Sequence, residues 1–319
     1  MRRPFTLYWS SLEKYEECPQ KFLWYRGWQG IDCGGGEGRK KPIPERKSEH
    51  HLLMGIVIAE AVEHLYNDEL WKHPKELKTR LEEIVLRSFK WQIEKRHINW
   101  EESPPQSQLR QVCLDGAINY LKTMKHNKLL GPYARSEVDL LAYVDDYTPI
   151  GGRADKIIRR DDTGISIIDG KNSASVGKYT NPDQLKWYAL CFYLAYHKLP
   201  DHLFFCYYRY PYGSPPDGVE EDAWTGLVEV SFDEADIKEL ALRAQKTLKA
   251  MNQGKFEASP SGKSCRFCEY ESVCPERQKT KRTRSPSKTE KAIVQANQKN
   301  KDGVKLFSLD DLKIGRAHV

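Results

Sequence analysis

Residues 152–171, GRADKIIRRDDTGISIIDGK, decide the fold, because they read as two strands joined by a tight turn. The turn, DDTG at 161–164, has the composition of a hairpin loop, and apolar residues flank it on both sides. Side chains of a strand point alternately to its two faces, so Asp169 and Lys171 share one face. Asp155 lies on the other strand. The stretch therefore predicts a β-hairpin that carries two carboxylates and an ammonium group.

These charged side chains indicate a site for a divalent cation. Two neighbouring carboxylates repel each other unless a cation lies between them. Mg²⁺ or Mn²⁺, held by carboxylates, waters and a substrate phosphate, removes that repulsion. Lys171 would then orient or deprotonate an attacking water, and Glu137 on the preceding predicted strand is a further candidate carboxylate. Ordinary surface charges on a solvated hairpin are the alternative interpretation.

The composition is that of a rather polar globular protein. The chain has 319 residues, of which 39% are hydrophobic and 30% charged, and its 8 Trp and 17 Tyr exclude disorder across the whole chain. It contains neither an apolar run of transmembrane length nor the apolar segment of a signal peptide. We therefore expect a cytoplasmic protein of a bacterium or a phage-infected host cell, with no membrane partner. The net charge of +6 is compatible with a nucleic-acid partner.

The order of the predicted elements indicates an α/β fold. Helical patterns fill the first half, strands dominate the middle, and a helix, a buried strand and a last helix follow. The first predicted helix begins at a capping box, Ser10–Glu13. Further helices are predicted over 51–68, 74–96, 105–126, 182–197 and 233–253. The predicted strands are 136–144, 150–160, 165–171 and 203–210. This order predicts a small mixed central sheet flanked by helices, with a helical N-terminal part.

The end of the chain differs in composition from the rest. It is basic and poor in large apolar residues, which predicts one domain over 1–277 and a disordered basic tail over 278–319. The last six residues, IGRAHV at 314–319, resemble the translation of a sequencing adapter. We interpret these six residues as an assembly artefact.

Three cysteines within ten residues predict a metal site near the end of the predicted domain. Cys265, Cys268 and Cys274 have ligand-like spacing, and a fourth ligand must come from a distant part of the chain. Four thiolates suit either a [4Fe–4S] cluster or a structural Zn²⁺, and ligand number does not distinguish them. Small buried side chains without a metal are the alternative.

Seven segments together resemble a known family. In chain order they are SSLEKYEECPQKFLWYR, GIVIAEAVEHLY, SEVDLL, GGRADKII, ISIIDGKN, QLKWYALCFYLAY and CRFCEYESVC. They resemble the RecB-like branch of the PD-(D/E)XK nuclease superfamily, which includes the nuclease domains of helicase–nucleases and the CRISPR adaptation nucleases. The resemblance spans about residues 8–274 and implies a restriction-endonuclease-like core.

The resemblance also assigns roles to individual residues. The implied catalytic residues are Asp155, the D-x-K pair Asp169 and Lys171, the upstream acid Glu137, and the Q-x-x-x-Y element Gln184 and Tyr188. The implied metal ligands are Asp155, Asp169, Glu137 and Glu63. Gln184 and Tyr188 are four residues apart, so they share one helix face, where they would contact the DNA backbone or the catalytic lysine.

One position departs from the family pattern G-x-x-x-H-x-x-x-E. Gly55 and Glu63 match it, but Ala59 stands where the family has a metal-binding histidine. Three consequences remain open: Glu60 or Glu63 compensates, carboxylates and waters suffice, or activity is impaired.

Iron–sulfur members of the family place one cysteine before the nuclease motifs and three after them. By this resemblance Cys18, Cys265, Cys268 and Cys274 would bind a [4Fe–4S] cluster. The cluster would have a structural role, in which it joins the N-terminal helix to the C-terminal segment. Zn²⁺ remains the alternative metal.

The expected function is that of a Mg²⁺-dependent deoxyribonuclease. We expect an exonuclease or flap-type enzyme that acts on single-stranded or free DNA ends in DNA repair, recombination or phage DNA processing. No G-x-x-x-x-G-K-[ST] motif is present, so unwinding would need a helicase or recombinase supplied in trans. The alternatives are a catalytically silent nuclease fold that acts as a DNA-binding or assembly subunit, and a structural zinc-binding interaction protein.

Overall fold

One mixed sheet forms the centre of the molecule. The computed structural model describes residues 5–28, 31, 40–43, 48–173, 175–177, 180–261, 265–266 and 268–283. The strands are β1 (Leu7–Tyr8), β2 (Ala134–Tyr143), β3 (Pro149–Arg160), β4 (Gly164–Lys171), β5 (His202–Tyr207) and β6 (Leu227–Glu229). Their order is β1-β3-β4-β5-β6, and β2 pairs with β3 outside this path.

Strand β3 is the central strand, because it pairs with three others. β2 pairs with it antiparallel from Ala134↔Ile158 to Tyr143↔Pro149. On its other edge, β1 pairs in parallel at Ile150 and Gly151, and β4 pairs antiparallel only from Lys156 to Arg160. The ladders with β1 and β4 therefore leave residues 152–155 of β3 without a strand partner on that edge.

Helices cover both faces of the sheet. They are α1 (Trp9–Glu17), α2 (Pro19–Arg26), α3 (His50–Asn67), α4 (Leu77–Lys95), α5 (Gln106–His126), α6 (Pro182–Tyr196), α7 (Glu234–Asn252) and α8 (Pro275–Thr283). Two short 3₁₀ turns lie at Leu70–Lys72 and Glu271–Val273.

The sheet separates two hydrophobic cores. Ile167 of β4 belongs to the core that includes α1, α2, α6 and α7, whereas the next residue, Ile168, belongs to the core of α3, α4 and α5. Adjacent strand residues point to opposite faces, so the two cores lie on opposite sides of the sheet. Below they are called the α6 side and the α3 side.

The sequence predictions for the sheet and most helices are confirmed. The mixed sheet flanked by helices is present, and the hairpin of β3 and β4 turns at residues 161–163 as its composition predicts. The patterns missed β1 and β6, which have two and three residues. Such short strands contain too few residues to show an alternation.

Several boundaries differ from the predictions. The strand predicted over 203–210 is β5, which ends at Tyr207. The first helix begins at Trp9 after Tyr8, with no side-chain cap, so the capping box expected at Ser10 is wrong. Its path breaks at Cys18, which is extended, and α2 begins at Pro19, because proline has no N–H to donate and suits the first helical turn. At the other end, the predicted disordered tail from 278 is wrong in its first residues, because α8 continues to Thr283. The remainder of the tail, including 314–319, lies outside the described residues.

Candidate active site

The two aspartates and the lysine of the hairpin meet where β4 separates from β3. The ladder ends at Lys156↔Ile168, so the next N–H groups of β4 are free to bond elsewhere. Gly170 N–H donates to Asp155 Oδ2 at 2.8 Å. Lys171 Nζ lies 2.5 Å from Asp169 Oδ2. The divergence of two strands thus places both carboxylates and the ammonium group in one notch.

Helix α6 supplies an amide that connects these groups. Lys171 Nζ donates to Gln184 Oε1 at 2.8 Å. The same amide donates through Nε2 to Asp169 Oδ1 at 2.9 Å and to Tyr188 Oη at 3.0 Å. The side chain of Gln184 therefore fixes the position of the lysine relative to the aspartate, and the structure brings together all four residues of this predicted set.

The start of α6 explains why the amide is well placed. Asn181 caps the helix by accepting from Asp183 N at 3.2 Å, and Pro182 occupies the first turn, where its fixed φ suits a helix. Gln184 follows within that turn. A rigid helix terminus, rather than a loop, thus holds the amide over β4.

Burial makes the two carboxylates costly to ionise together. Asp169 is only 3% exposed, and burial raises its pKa while Lys171 opposes the rise. Burial, with the charge of Asp169 added, raises the pKa of Asp155 to about 8. Two buried acids of raised pKa are a typical setting for a cation or for acid–base chemistry.

The oxygen atoms of this notch fit a hard divalent cation. Asp169 Oδ2 is buried, and the ammonium group of Lys171 lies 2.5 Å from it. Two buried carboxylates repel each other, and the single ammonium group of Lys171 contacts only one of them; carboxylates are also the ligands that Mg²⁺ and Mn²⁺ prefer. As the side chains now lie, no group of three or more His, Cys, Asp or Glu residues within the described part of the chain is arranged around a metal position.

Two glutamates lie at the other side of the notch. Burial raises the pKa of Glu137 of β2, and the charge of Glu63 on α3 adds to this rise. Arg153 opposes the rise, because its Nε lies 3.0 Å from Glu137 Oε2. The two glutamates are therefore close enough to interact. Glu137 has a φ of 50°, and the ladder pairs Ser136 and Val138 but omits the glutamate between them.

The left-handed backbone at Glu137 coincides with a change of phase in β3. Gly152 faces Tyr188 on the α6 side, yet Lys156, four residues further along the strand, lies over the ring of Tyr66 on the α3 side. In a regular strand these two residues would share a face. Asp155 lies inside this irregular stretch, and irregular strands of this kind redirect side chains at functional sites.

Lys156 is a component of the site that the sequence patterns did not reveal. It is 1% exposed, its Nζ lies 3.6 Å from the centre of the Tyr66 ring, and it donates to Ser136 Oγ. Burial lowers its pKa to about 7, while the charges of Asp155 and two glutamates oppose this. The available signal was a lysine directly after the motif aspartate and before two isoleucines.

Glu60 does not replace the metal-binding histidine that the family has at the position of Ala59. Glu60 accepts a hydrogen bond from Gln92 Nε2 at 2.8 Å and one from Ser88 Oγ, both on α4, so it points away from the notch. Of the two glutamates that could compensate for the missing histidine, only Glu63 lies near the other acids.

Gly170 is required between the aspartate and the lysine. A Cβ at this position would overlap the hydroxyl group of Tyr208. That tyrosine is 4% exposed and packs in the core on the α3 side. Glycine thus lets β4 pass close to a buried ring.

The four predicted cysteine ligands line one small pocket. Cys18 contributes from the break between α1 and α2, and Cys265, Cys268 and Cys274 contribute from the C-terminal segment. All four are free and half-buried. Burial raises the pKa of Cys268, and the charge of Cys18 is among the contributions to it.

The comparisons with known proteins agree with this geometry. Residues 8–275 match the family model of the PD-(D/E)XK nuclease superfamily. The chain belongs to this superfamily, and its sheet with flanking helices is the restriction-endonuclease-like fold. Membership implies a nuclease, an enzyme that cleaves phosphodiester bonds, with DNA as the implied substrate.

Similarity to individual proteins is weaker than the match to the family. A solved structure described as "Crystal structure of SSO0001" is similar over 54% of this chain and 74% of its own, with 23% sequence identity and a TM-score of 0.30. No curated protein matches the chain. Within the described residues, no helix is both long enough and apolar enough to cross a membrane.

Proposed function

We propose that this protein is a Mg²⁺- or Mn²⁺-dependent deoxyribonuclease of the RecB-like branch. The hydrogen-bonded set Lys171–Gln184–Asp169, next to Asp155, is the observation that carries the proposal. A structural ion pair on a solvated hairpin would have no need of buried aspartates or of an amide that bonds both members. The substrate proposed is DNA with single-stranded or free ends, cleaved by an exonuclease or flap-type activity.

The residues of the notch have separate roles in this proposal. Asp155 and Asp169 would hold the cation, with Glu137 and Glu63 as further carboxylates. When bound, the cation would supply Lewis-acid activation of a phosphate oxygen and would lower the pKa of a water. Lys171 orients the attacking water and balances the charge that develops on the phosphate.

Gln184 acts on Lys171 rather than on the substrate. Its Oε1 accepts from the ammonium group and its Nε2 holds Asp169 and Tyr188. The amide therefore keeps the lysine directed at the metal side of the notch, and Gln184 is a positioning residue. Tyr188 Oη fixes the amide in turn.

End-labelled DNA tests the activity and its direction. The substrates are single-stranded, double-stranded, flapped and circular DNA. The linear substrates are labelled at one end and the circular DNA is labelled internally. Each is incubated with Mg²⁺ or with EDTA. We expect shortening of the substrates with free single-stranded ends in Mg²⁺ and none in EDTA. Equal cleavage of circular DNA would contradict the preference for ends, and absence of all cleavage would contradict the enzyme.

The cysteine pocket supports a second proposal, a [4Fe–4S] cluster held by Cys18, Cys265, Cys268 and Cys274. Its support is that these four residues, from opposite ends of the domain, line the same pocket. Thiolates are suitable ligands for either a cluster or Zn²⁺. An absorption spectrum of anaerobically purified protein distinguishes them, because Zn²⁺ is colourless.

The catalytically silent nuclease fold is a second candidate function. Ala59 favours it, because an alanine cannot bind metal. The zinc-binding interaction protein has less support, since the buried aspartates would then serve no purpose. A protein that binds DNA without cleaving it under any divalent cation would establish the silent fold.

The wider setting is also a proposal. We place the protein in the cytoplasm, where thiols stay reduced, in DNA repair, recombination or phage DNA processing. A helicase or recombinase would supply the single strand. Pull-down of such an enzyme with the wild-type chain, but not with a control protein of equal charge, tests the partnership.

A further inference from the structure

Beside the candidate active site, one part of the α3 side of the sheet is left exposed by the residues that the structure describes. Leu140 and Ala142 of β2 are buried on the α6 side, so the residues between and after them point to the α3 side. There Leu141 is 63% exposed and Tyr143 58% exposed. The exposed residues of antiparallel strands are usually polar, whereas Leu141 and Tyr143 are largely apolar.

A neighbouring strand extends the exposed surface. In β1, Leu7 is buried and Tyr8 is 37% exposed. A Cβ added to Gly151 of β3 would lie 2.9 Å from Tyr8 Cε1 and 3.0 Å from Leu141 Cδ2. The tyrosine and the leucine therefore lie on either side of the glycine and form one surface. We call Tyr8, Leu141, Tyr143 and Gly151 the open sheet face.

The open sheet face leads into the active-site notch. Along β2, Tyr143, Leu141 and Asp139 share this side of the strand over about 13 Å at the usual rise of a strand, and Glu137, two residues further, contacts Arg153. Glu137 is a proposed metal ligand. Arg153 lies between the two acids, with its Nε 3.0 Å from Glu137 Oε2 and 3.7 Å from Asp139 Oδ1.

The chemistry of this face suits bases better than phosphates. Arg153 is engaged by two carboxylates, so the described residues of the face offer rings and aliphatic surface instead of free positive charge. Phosphate binding requires such charge, whereas unpaired bases stack on aromatic side chains of exposed sheet faces. Bases inside a duplex are not accessible to it.

We propose that the open sheet face binds the unpaired bases of a single-stranded DNA segment whose backbone enters the notch. This inference rests on the proposed nuclease function, and it specifies the substrate as single-stranded next to the cleaved bond. Tyr143 and Tyr8 stack on bases, Leu141 packs against them, and Gly151 keeps the surface flat.

A binding measurement without cleavage tests the face separately from the chemistry. Fluorescein-labelled oligothymidylate is titrated in EDTA, with fluorescence anisotropy as the readout. The test variant is Leu141→Ala/Tyr143→Ala. The matched control is Leu242→Ala/Tyr196→Ala, whose side chains are exposed to 65% and 57% and lie on α7 and α6.

We expect the test variant to bind oligothymidylate about tenfold or more weakly than wild type, because stacking contributes strongly per base. The control variant should bind as wild type does. An abasic oligonucleotide of the same length should bind wild type and test variant equally weakly. A test variant that binds oligothymidylate like the control would overturn the proposal.

Two further outcomes would assign the open sheet face a different role. If the test variant loses affinity for the abasic oligonucleotide to the same extent, the face contacts the backbone, and the proposal is wrong. If wild type is a dimer that the test variant dissociates with DNA affinity unchanged, the face binds a second copy, and the proposal is wrong.

A small substrate distinguishes an error in the proposal for the open sheet face from an error in the proposed nuclease function. Hydrolysis of a mononucleotide nitrophenyl ester, which needs the notch alone, should be unaffected in the test variant. No hydrolysis by wild type would count against the nuclease, not against the face.

Discussion

The active-site notch and the cysteine pocket are assembled from different parts of the chain. The side chains of the hydrogen-bonded set, from Asp155 to Tyr188, come from two adjacent strands and the helix that follows them. The cysteine pocket combines Cys18 with residues 265–274, nearly the whole domain apart. The first depends on local strand geometry, the second on closure of the chain.

This difference predicts opposite effects of mutation. Variants in the notch change charge at a place where β3 and β4 already separate, with little loss of apolar packing. Variants in the cysteine pocket release the N-terminal helices from the C-terminal segment. We therefore expect loss of activity at unchanged stability in the notch, and loss of stability at the cysteine pocket.

The largest effect is expected at the notch. Asp155→Asn, Asp169→Asn and Lys171→Ala should each reduce cleavage about a hundredfold or more, because they remove cation binding or water orientation. Single-turnover cleavage and thermal unfolding are measured on the same samples. Asp162→Asn, in the turn of the same hairpin and 62% exposed, is the control. Wild-type rates in two of the three variants would refute the assignment.

The next effect is expected at the cysteine pocket. Anaerobically purified wild type should be brown, and Cys18→Ser should lose the colour as completely as Cys268→Ser, because either change opens the cluster. Both should melt at a lower temperature, since metal binding contributes to folding. Cys191→Ala, at a buried cysteine of the α6-side core, should remain brown. Stoichiometric zinc in colourless protein would replace the cluster but keep the connection between the chain ends.

A smaller effect is expected for the positioning amide. Gln184→Ala should lower kcat about 10–100-fold with little change in KM, as typical of a residue that orients a catalytic group. Tyr188→Phe removes only one hydroxyl group and should cost less. Steady-state kinetics on labelled single-stranded DNA measure both. A change confined to KM would place Gln184 in substrate binding instead.

The smallest effect is expected from restoring the family histidine. Ala59→His introduces a ligand on the helix that carries Glu63, one turn away, and it should raise activity or lower the Mg²⁺ concentration needed for half-maximal rate. Gly55→Ala, on the same helix with open space around its Cβ position, is the control. Identical Mg²⁺ dependence in the histidine variant would show that the site does not use this position.

The sequence predicts the hairpin well because its signals are local. The DDTG turn and the alternation around Asp169 and Lys171 require only neighbouring residues, and the helix of Gln184 begins with its own cap and proline. The family resemblance then identified which of these residues belong together. Most of the notch was accessible in this way.

What the sequence did not show depends on long-range geometry. The phase change of β3 at Asp155 and the buried position of Lys156 arise from the pairing with β2 and the packing of α3. The orientation of Glu60 toward α4 could not be read from its place beside Ala59. The open sheet face also depends on which side each core covers, and alternation alone does not reveal this.

The dependence of cleavage on Mg²⁺ tests the proposed nuclease most directly. Wild-type protein is assayed with single-stranded, end-labelled DNA under single-turnover conditions, from EDTA through increasing Mg²⁺. We predict no cleavage in EDTA and a rate that rises with Mg²⁺ to saturation. A rate that is the same in EDTA, or no cleavage at any Mg²⁺ or Mn²⁺ concentration, would contradict the metal-dependent nuclease.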